Sequence, residues 1–375
     1  MKIYCLLLDT FPYNNNLISH LKNKGFTQLH TISQCATHST LISMFTGRSG
    51  TDLLPDTGIA YRAEEKYQKD GHINFPFKDL YIFNRLHNLG WEIKFYIPNM
   101  LLKINEKDEG SITAHVAHSD EQYKYERIAV YDNKEWTNQL CTNTILRPGI
   151  LYNKYIKNEK EALHKLQQAT ERNQFIFAQY HHYSMAVKTK FNINKTMDET
   201  NRVLDTWNFD EKDAIFWIFS DHDNFKSFNA RCQPNAFGNW SLVKDNTPDP
   251  LVIRSKYVSL QDFYPTILQR LGIGFVRMKE GVQSIENKLD TQRVFFVEDA
   301  RLAIDKYKIV SFVACKFIGW KKGVARKLRS LTYCKSNGKY FSYELDLVTR
   351  KVVELDFKDV DLMLNLKKKY SKFIP

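Results

Sequence analysis

The sequence predicts an α/β fold, in which a mostly parallel central sheet is flanked by helices on both faces and a smaller antiparallel sheet follows at the C-terminal end. The first observation is a set of apolar runs at residues 3–8, 175–180 and 214–219, typical of strands buried on both faces. The second is helical periodicity between these runs. The third is a change, from about Thr291, to strands that follow one another directly.

Each predicted element rests on a local pattern. Glycines end several helices, at Gly25, Gly47, Gly90 and Gly272, and Ser259 is a plausible helix cap. The predicted helices cover residues 17–25, 37–47, 80–90, 159–173, 197–207, 258–273 and 360–370. The predicted strands cover residues 3–8, 26–31, 91–97, 175–180, 214–219, 293–298, 307–312, 330–334 and 340–347.

Length and composition bound the class of protein. The 375 residues, 43% of them hydrophobic, are enough for one large domain or two, and we predict a catalytic domain over 1–285 and an antiparallel subdomain over 286–375. The net charge of +12 favours anionic partners only in a general way, because the basic residues are spread out as far as residue 316. We therefore expect no specific nucleic acid as partner. The oligomeric state stays open.

The location of the protein is predicted from its cysteines and from its apolar runs. Six cysteines are scattered without CxxC pairs, which is typical of reduced thiols in a cytosolic protein. The apolar run at residues 3–8 is too short for a signal-peptide core, and no run of about 18 apolar residues predicts a membrane span. These features predict a cytoplasmic protein.

Acidic and imidazole side chains follow two of the predicted buried strands. Asp9 comes after the first strand, and Ser220-Asp221-His222-Asp223 comes after the strand at 214–219. Polar groups at the carboxyl ends of parallel strands are well placed for chemistry. Carboxylate and imidazole donors suit zinc or manganese, whereas an oxygen-rich set suits calcium. The alternative for Asp9 is a helix cap or a turn residue.

Two further segments are candidates for chemistry. The helix predicted to begin at Thr37 would offer free backbone N–H groups and its positive end to a phosphate or sulfate beside the Thr37 hydroxyl. The strand at 175–180 ends in His181-His182. Adjacent side chains on a strand point in opposite directions, so only one of this pair is expected to face the site. The alternative is a loop histidine with a structural role.

These segments together resemble the alkaline phosphatase/sulfatase superfamily over nearly the whole chain, and in that family's order. Thr37 stands nine residues before Thr46-Gly47, as the family's nucleophile does, and Ser220-Asp221-His222 resembles its Ser-Asp-His-Gly block. The helix at 258–273 and the strand at 343–347 also resemble family segments. Cys35 is two places out of register and lacks the following Pro and Arg, which argues against a formylglycine sulfatase.

The resemblance implies a metal-dependent, sulfatase-like hydrolase of phosphate, phosphonate or sulfate esters, with a small-molecule or glycan ester as substrate and one or two ions of calcium, zinc or manganese per chain. It implies Thr37 as the nucleophile and as a metal ligand, and Asp9, Asp221 and His222 as further ligands. His181 or His182 would bind the anion or protonate the leaving group. A Thr nucleophile is usual in the phosphodiesterase, phosphonate-hydrolase and phosphoglycerol-transferase branches, which favours phosphate or phosphonate esters over sulfate.

The chain also departs from the family pattern. Thr10 stands where sulfatases often have a second Asp, and Asp223 replaces the Gly of the Ser-Asp-His-Gly block. No residue around 237–240 matches the family's downstream Lys or His, although Lys226 or Lys244 is a candidate. Two alternatives to hydrolysis therefore stay open. One is transfer of a phospho-alcohol group to a glycan or lipid head group, and the other is a non-catalytic binding protein on this fold.

Overall fold

The computed structural model describes most of the chain, in ranges separated by gaps. The described ranges are residues 1–35, 37–53, 68–69, 72–74, 82–96, 103–104, 112–114, 127–132, 135–140, 172–180, 183, 193–222, 233–274, 282–303 and 306–375. In chain order the elements are β1 (Lys2–Leu8), α1 (Asn15–Asn23), β2 (Thr27–Ile32), α2 (Thr37–Thr46), α3 (Gly50–Leu53), β3 (Gln68–Lys69), β4 (His72–Asn74), α4 (Ile82–Asn88), β5 (Glu92–Tyr96), β6 (Lys103–Ile104), β7 (Ile112–Ala114), β8 (Arg127–Asp132), β9 (Glu135–Leu140), β10 (Gln174–Tyr180), α5 (Ile193–Leu204), β11 (Ala214–Phe219), α6 (Pro234–Phe237), β12 (Gly238–Asp245), β13 (Tyr257–Ser259), a 3₁₀ turn (Leu260–Asp262), α7 (Phe263–Arg270), β14 (Phe295–Ala303), β15 (Lys306–Ile318), β16 (Lys327–Cys334), β17 (Lys339–Asp346), β18 (Val352–Leu355) and α8 (Val360–Lys369).

The chain divides into two compact units. The first is made of Met1–Gln28, Glu64–Ser220 and Ser241–Pro250, and the second of Leu29–Ala63, Asp221–Trp240 and Leu251–Pro375. The predicted boundary after residue 285 stays a prediction. Within the described part of the chain, every helix is too short or too polar to cross a membrane.

The first unit contains the central sheet. Its strands pair in the order β12-β11-β1-β10-β5-β8-β9. The four central strands β11, β1, β10 and β5 are parallel, whereas β12 pairs antiparallel with β11 and the hairpin β8–β9 pairs antiparallel with β5. A small sheet of β3, β4, β7 and β6 belongs to the same unit. The predicted α/β class with a mostly parallel sheet and flanking helices is confirmed.

The apolar runs form the core of this unit for the reason the sequence predicts. All six residues of β11 are buried, and the ring of Tyr4 on β1 stacks on Phe216 with 4.6 Å between ring centroids. Leu7 on β1 lies opposite both Phe219 on β11 and Gln179 on β10. Because side chains on both faces are occupied in packing, polar chemistry is restricted to the residues that follow the strands.

The second unit contains the antiparallel sheet predicted at the C-terminal end. Its strands pair in the order β14-β15-β16-β17-β18, each antiparallel to the next. One apolar cluster joins this sheet to residues from earlier in the chain, including Ile32, Phe237 and Tyr257. Helix α8 packs through Tyr370, just beyond its end, whose ring lies 4.3 Å from that of Phe312.

The predicted cap and stop around α7 are both present in this unit. The Ser259 side chain accepts a hydrogen bond from Gln261 N, and Asp262 completes the capping box by accepting from Ser259 N at 2.8 Å. The carboxylate of Asp262 is fully buried and forms a bidentate pair with Arg293, at 2.6 and 2.7 Å. Gly272 has φ +64° and ends the helix. This segment is structural, as its resemblance implies.

The sequence failed to predict β12, the strand that pairs antiparallel with β11 in the central sheet. Its buried residues include Asn239 and Ser241, so the strand lacks the apolar run that identified its neighbours. The stretch 51–79, predicted as loop, also contains the short strands β3 and β4. The helix predicted at 159–173 falls almost wholly outside the described residues.

Candidate active site

Helix α2 forms over the predicted nucleophile segment and ends one residue before the predicted glycine stop. It begins at Thr37 and ends at Thr46, and its buried residues include Leu41, Met44 and Phe45. Gly47 follows with φ +66° and donates its N–H to Ser43 O at 2.9 Å, which closes the last turn. The first turn of a helix has N–H groups without intrahelical partners, and Thr37 therefore stands where an anion would be favoured. The Thr37 side chain itself lies outside the described atoms.

The segment that leads into α2 is held by buried polar contacts. Ser33 N donates to Phe237 O at 2.9 Å, and Asn239 Nδ2 donates to Ser33 Oγ at 3.1 Å. Ser33 and Asn239 are 2% and 1% exposed. The segment 237–240, where the family pattern would place a Lys or His, therefore positions the loop before the candidate nucleophile. The sequence alone did not indicate this role.

Gln34 ties the same segment to β14. Its Oε1 accepts from Glu298 N at 2.7 Å, and its Nε2 lies 3.4 Å from Phe296 O. Glu298 is buried and in turn accepts hydrogen bonds from the backbone and side chain of Thr51, at the start of α3. Burial raises the pKa of this carboxyl group, in opposition to the hydrogen bonds from Thr51 and Ser49. The loop before α2 is thus held through Ser33 by the segment 237–240 and through Gln34 by β14.

Thr40 connects α2 to the predicted Asp-His block within the second unit. The Thr40 Oγ1 lies 3.3 Å from Asp221 O and 3.2 Å from Gln34 O, and Thr40 is fully buried. Residues three apart are neighbours on one helix face. The hydrogen bond therefore brings the first turn of α2, which begins at Thr37, next to Asp221.

Asp221 and His222 form a buried pair. Their exposed fractions are 0% and 8%, and His222 Nε2 lies 3.4 Å from Asp221 Oδ2. Both follow β11 directly, after Ser220. A carboxylate and an imidazole in this arrangement provide an oxygen and a nitrogen donor side by side, the chemistry that zinc or manganese prefers.

Asp9 belongs to the first unit. It follows β1, is 4% exposed, and donates its backbone N–H to Tyr180 O at 2.9 Å. Its carboxylate accepts hydrogen bonds from Gln179 Nε2 at 2.7 Å and from Thr10 Oγ1 at 2.6 Å. Thr10, with φ +56°, takes the place of a possible second acid and instead orients the first one. Asp9 is thus held at the carboxyl end of β1, as predicted.

The structure brings together some of the predicted site residues and leaves others undescribed. Thr37, Asp221 and His222 lie on segments that are in contact within the second unit, whereas Asp9 is in the first. His181, His182, Asp223 and Lys226 lie outside the described residues. Lys244 is on β12 in the first unit, where its Nζ pairs with Asp210 at 2.7 Å. Their predicted roles stay predictions.

The donor chemistry fits a divalent metal at Asp221 and His222. In the described part of the chain, no group of three or more His, Cys, Asp and Glu side chains lies close enough to hold one ion. The fit therefore rests on a pair of donors rather than on a complete coordination shell.

The prediction that the cysteines are reduced is wrong for Cys35. This buried residue, two positions before Thr37, is disulfide-bonded, and its partner lies outside the described residues. Cys5, Cys315 and Cys334 are buried free thiols. A stable disulfide is more typical of an oxidising compartment than of the cytosol. The spacing of scattered cysteines contains no information on which of them meet in the fold.

Comparison with solved structures identifies the fold. A protein in the alkaline phosphatase superfamily from Vibrio parahaemolyticus superimposes with a TM-score of 0.52 and 15% sequence identity, over 100% of this chain and 88% of that one. Ps i-CgsB in complex with k-i-k-neocarrahexaose gives a TM-score of 0.50 and 10% identity, over 99% of this chain and 93% of that one. Neither a protein-family model nor a curated protein sequence matches the chain. The chain therefore has the fold of the alkaline phosphatase superfamily.

Proposed function

We propose that the chain is a metal-dependent hydrolase of phosphate, phosphonate or sulfate esters in which Thr37 is the nucleophile. The observation that carries the proposal is the hydrogen bond from Thr40 to Asp221 O, at 3.3 Å. It holds the N-terminal turn of α2 beside the buried pair of Asp221 and His222. A hydroxyl, an anion-favouring helix terminus and a metal-ligand pair are three parts that ester hydrolysis by this route needs.

In the proposed reaction the Thr37 Oγ1 attacks the phosphorus or sulfur atom in line with the leaving alcohol. The Thr37 hydroxyl proton passes to solvent water, the bond between the phosphorus or sulfur atom and the leaving oxygen breaks, and Thr37 carries the phosphoryl or sulfuryl group until a water molecule attacks it and releases free phosphate or sulfate. A divalent metal, when bound, lowers the pKa of the attacking hydroxyl and polarises the ester oxygen. Asp9, Thr37, Asp221 and His222 are the proposed ligands, and zinc, manganese or calcium is the proposed ion.

The remaining roles in the proposal fall to the protein alone. The backbone N–H groups of the first turn of α2 favour the non-bridging oxygens of the anion, because they have no intrahelical acceptors. His181 or His182 is proposed to protonate the leaving oxygen. Ser33, Gln34 and Asn239 keep the loop before Thr37 in place. Transfer to an alcohol acceptor would use the same residues, with that alcohol in place of water.

The experiment is metal analysis of the purified protein together with turnover of aryl phosphate monoesters, phosphodiesters, phosphonates and sulfates. We expect one or two equivalents of metal and turnover of at least one ester class. Thr37→Ala is expected to lower kcat by roughly 10³-fold or more, in line with the loss of a nucleophile in other hydrolases. Thr46→Val, which removes a hydroxyl from the other end of the same helix, is the matched control and is expected to retain turnover.

Two results would contradict the proposal. If turnover is unchanged in Thr37→Ala, the nucleophile is a different residue. A protein that contains no metal and has no Thr37-dependent turnover supports the binding-protein alternative. Added glycerol or a glycan acceptor then separates hydrolysis from transfer, because transfer yields a new ester instead of free phosphate or sulfate.

A further inference from the structure

The positive charge of the chain is concentrated in its last sixty residues. Residues 316–375 contain 15 Lys and Arg but six Asp and Glu, so they provide nine of the twelve net charges of the whole chain. All of these residues belong to the second unit and to the part of the chain that the structure describes. The charge is therefore a property of the antiparallel sheet and of helix α8.

Two turns project from the same end of this sheet. The β15–β16 turn covers residues 319–326 and the β17–β18 turn covers residues 347–351. The pairing of β16 with β17 places Lys327 opposite Asp346, and Leu347 N donates to Arg326 O at 3.0 Å, so the two turns are in contact. We call these two turns the cationic tip.

The cations of the tip differ from those farther along the strands. Lys327 and Arg329 both pair with Glu344, and Lys316 pairs with Asp359 and Asp361. Within the described part of the chain, no carboxylate pairs with the exposed cations of the tip. These cations are Lys321, Lys322, Arg326 and Lys351.

Asp346, the acid that ends β17 beside the second turn of the tip, is hydrogen-bonded to the backbone of that turn. Asp346 Oδ1 accepts hydrogen bonds from Val348 N and Thr349 N, at 2.9 and 2.7 Å. The cations of the tip therefore keep their charge available to a partner.

An exposed valine stands in each turn. Val324 is 46% exposed and Val348 is 67% exposed, the latter being the largest exposed fraction among the large hydrophobic residues that the structure describes. Their exposure gains nothing for folding, because apolar side chains are stabilised by removal from water. Exposed valines between cations are complementary to a surface that has negative charge outside and hydrocarbon beneath.

Aromatic contacts and a hydrogen bond hold the first turn of the cationic tip in place. The Tyr257 ring contacts those of Trp320 and Phe317, with 4.7 and 4.9 Å between centroids, and Tyr257 OH accepts from Ala325 N at 2.8 Å. His30 stacks on the other side of Tyr257 at 5.2 Å. The pKa of His30 is lowered to about 4, first by burial and then by the charges of Arg350 and Lys256. Arg350 belongs to the second turn of the tip, and Lys256 adds to the positive potential at His30.

We propose that the cationic tip docks on the surface of an anionic lipid bilayer, with the lysines and arginines among the head groups and Val324 and Val348 in the interface. This interaction goes beyond the proposed hydrolase activity and does not depend on it. A lipid surface is favoured over a soluble polyanion because a soluble polyanion has no apolar region in which the two exposed valines could be buried.

The test is flotation of the full chain with vesicles of phosphatidylcholine alone and of phosphatidylcholine with about 30% phosphatidylglycerol. We expect binding to the anionic vesicles only, and weaker binding at about 0.5 M than at about 0.05 M salt. The triple variant K321Q/K322Q/R326Q is expected to bind at least about tenfold more weakly, since each basic residue contributes near an anionic surface. V324S/V348S is expected to weaken binding while the net charge stays the same.

A charge-matched control separates the tip from net charge. K22Q/K212Q/K288Q removes three exposed positive charges elsewhere and is expected to bind as the unchanged protein does. Equal losses in the two triple variants would overturn the proposal in favour of non-specific attraction. Binding to dextran sulfate that competes with vesicles and is insensitive to V324S/V348S would overturn it in favour of a soluble polyanion. No binding to either vesicle would also overturn it, and thermal melts confirm that each variant is folded.

Discussion

Thr40 has a larger part in the candidate site than any residue pattern around it indicates. Its buried hydroxyl lies between Gln34 O, in the loop before α2, and Asp221 O, after β11. A Thr inside a helix commonly bonds back to a carbonyl of its own helix, as Thr46 does to Ile42 O at 2.7 Å. Thr40 instead joins two segments about 180 residues apart in the chain. The distinction between the two threonines depends entirely on tertiary contacts.

The first prediction follows from this contact. Thr40→Val is expected to lower the free energy of unfolding by about 1–2 kcal/mol, because it leaves buried carbonyl groups with one hydrogen bond fewer. If α2 positions the nucleophile, kcat should fall as well. Ser43→Ala on the same helix is the control, since the buried Ser43 Oγ has no hydrogen-bond partner in the described structure and its loss should be nearly neutral. Denaturant unfolding and ester turnover measure both effects, and equal behaviour of the two variants would contradict the prediction.

At the scale of the element, α2 ends at a glycine for a conformational reason. Gly47 has φ +66°, a region in which residues with a side chain are strained, and its N–H closes the last turn on Ser43 O. The same helix carries Thr37 at its other end. Its sequence limits were therefore predictable from a reactive residue and a glycine.

Gly47→Ala is expected to lower the free energy of unfolding by about 1 kcal/mol, because alanine disfavours the left-handed conformation. Gly274→Ala provides the control, since Gly274 does not have a positive φ and a Cβ built there meets nothing within 4 Å. Urea unfolding of the two variants distinguishes them. The explanation fails if the two substitutions change stability equally.

Helix α3 and the end of α8 are joined by an ion pair whose effect depends on pH. Lys369 Nζ lies 2.7 Å from Asp52 Oδ1, and the two side chains are 18% and 10% exposed. Burial by itself would raise the pKa of Asp52, but Lys369 and the hydrogen bonds from Ser49 outweigh it and lower that pKa. Because the folded-state pKa lies below the usual value of 3.8, the pair stabilises the fold above that value and loses its effect as the pH falls through the lowered pKa.

Lys369→Met is therefore expected to destabilise the protein by about 1–3 kcal/mol at pH 7, with the buried Asp52 left charged. The difference from the unchanged protein should shrink as the pH falls below 3.8 and through the lowered pKa of Asp52. Denaturant unfolding at several pH values measures the difference. Lys367→Met, two residues earlier and exposed, is the control, and a pH-independent difference for Lys369→Met would contradict the ion-pair explanation.

At the scale of the whole molecule, the disulfide of Cys35 is the feature with the widest consequence. It lies in the loop that positions the candidate nucleophile, between Gln34 and the start of α2. Cross-links stabilise folds largely by restricting the unfolded chain. The predicted cytoplasmic location stays a prediction, and this bond weighs against it.

Reduction of the protein, or Cys35→Ser, is expected to lower the free energy of unfolding by about 2–4 kcal/mol. Thiol titration of the denatured protein should find fewer than its six cysteines reactive before reduction and all six after it. Reductant should make no further difference to the stability of Cys35→Ser, whereas Cys315→Ser, the control at a buried free thiol, keeps the disulfide and should still be destabilised by reductant. Six reactive thiols in the untreated protein would contradict the disulfide.

The sequence by itself determined the class of fold, the main strands and the limits of α2, because each depends on local properties: an apolar run, a helical period or a glycine stop. It also identified Asp9, Asp221 and His222 as residues that follow strands. The tertiary structure alone decided that Asn239 and Gln34 hold the loop before Thr37, that Cys35 is oxidised, and that two turns of one sheet combine their charges. These contacts involve residues far apart in the chain, and no local pattern indicates which distant segments meet when the chain folds.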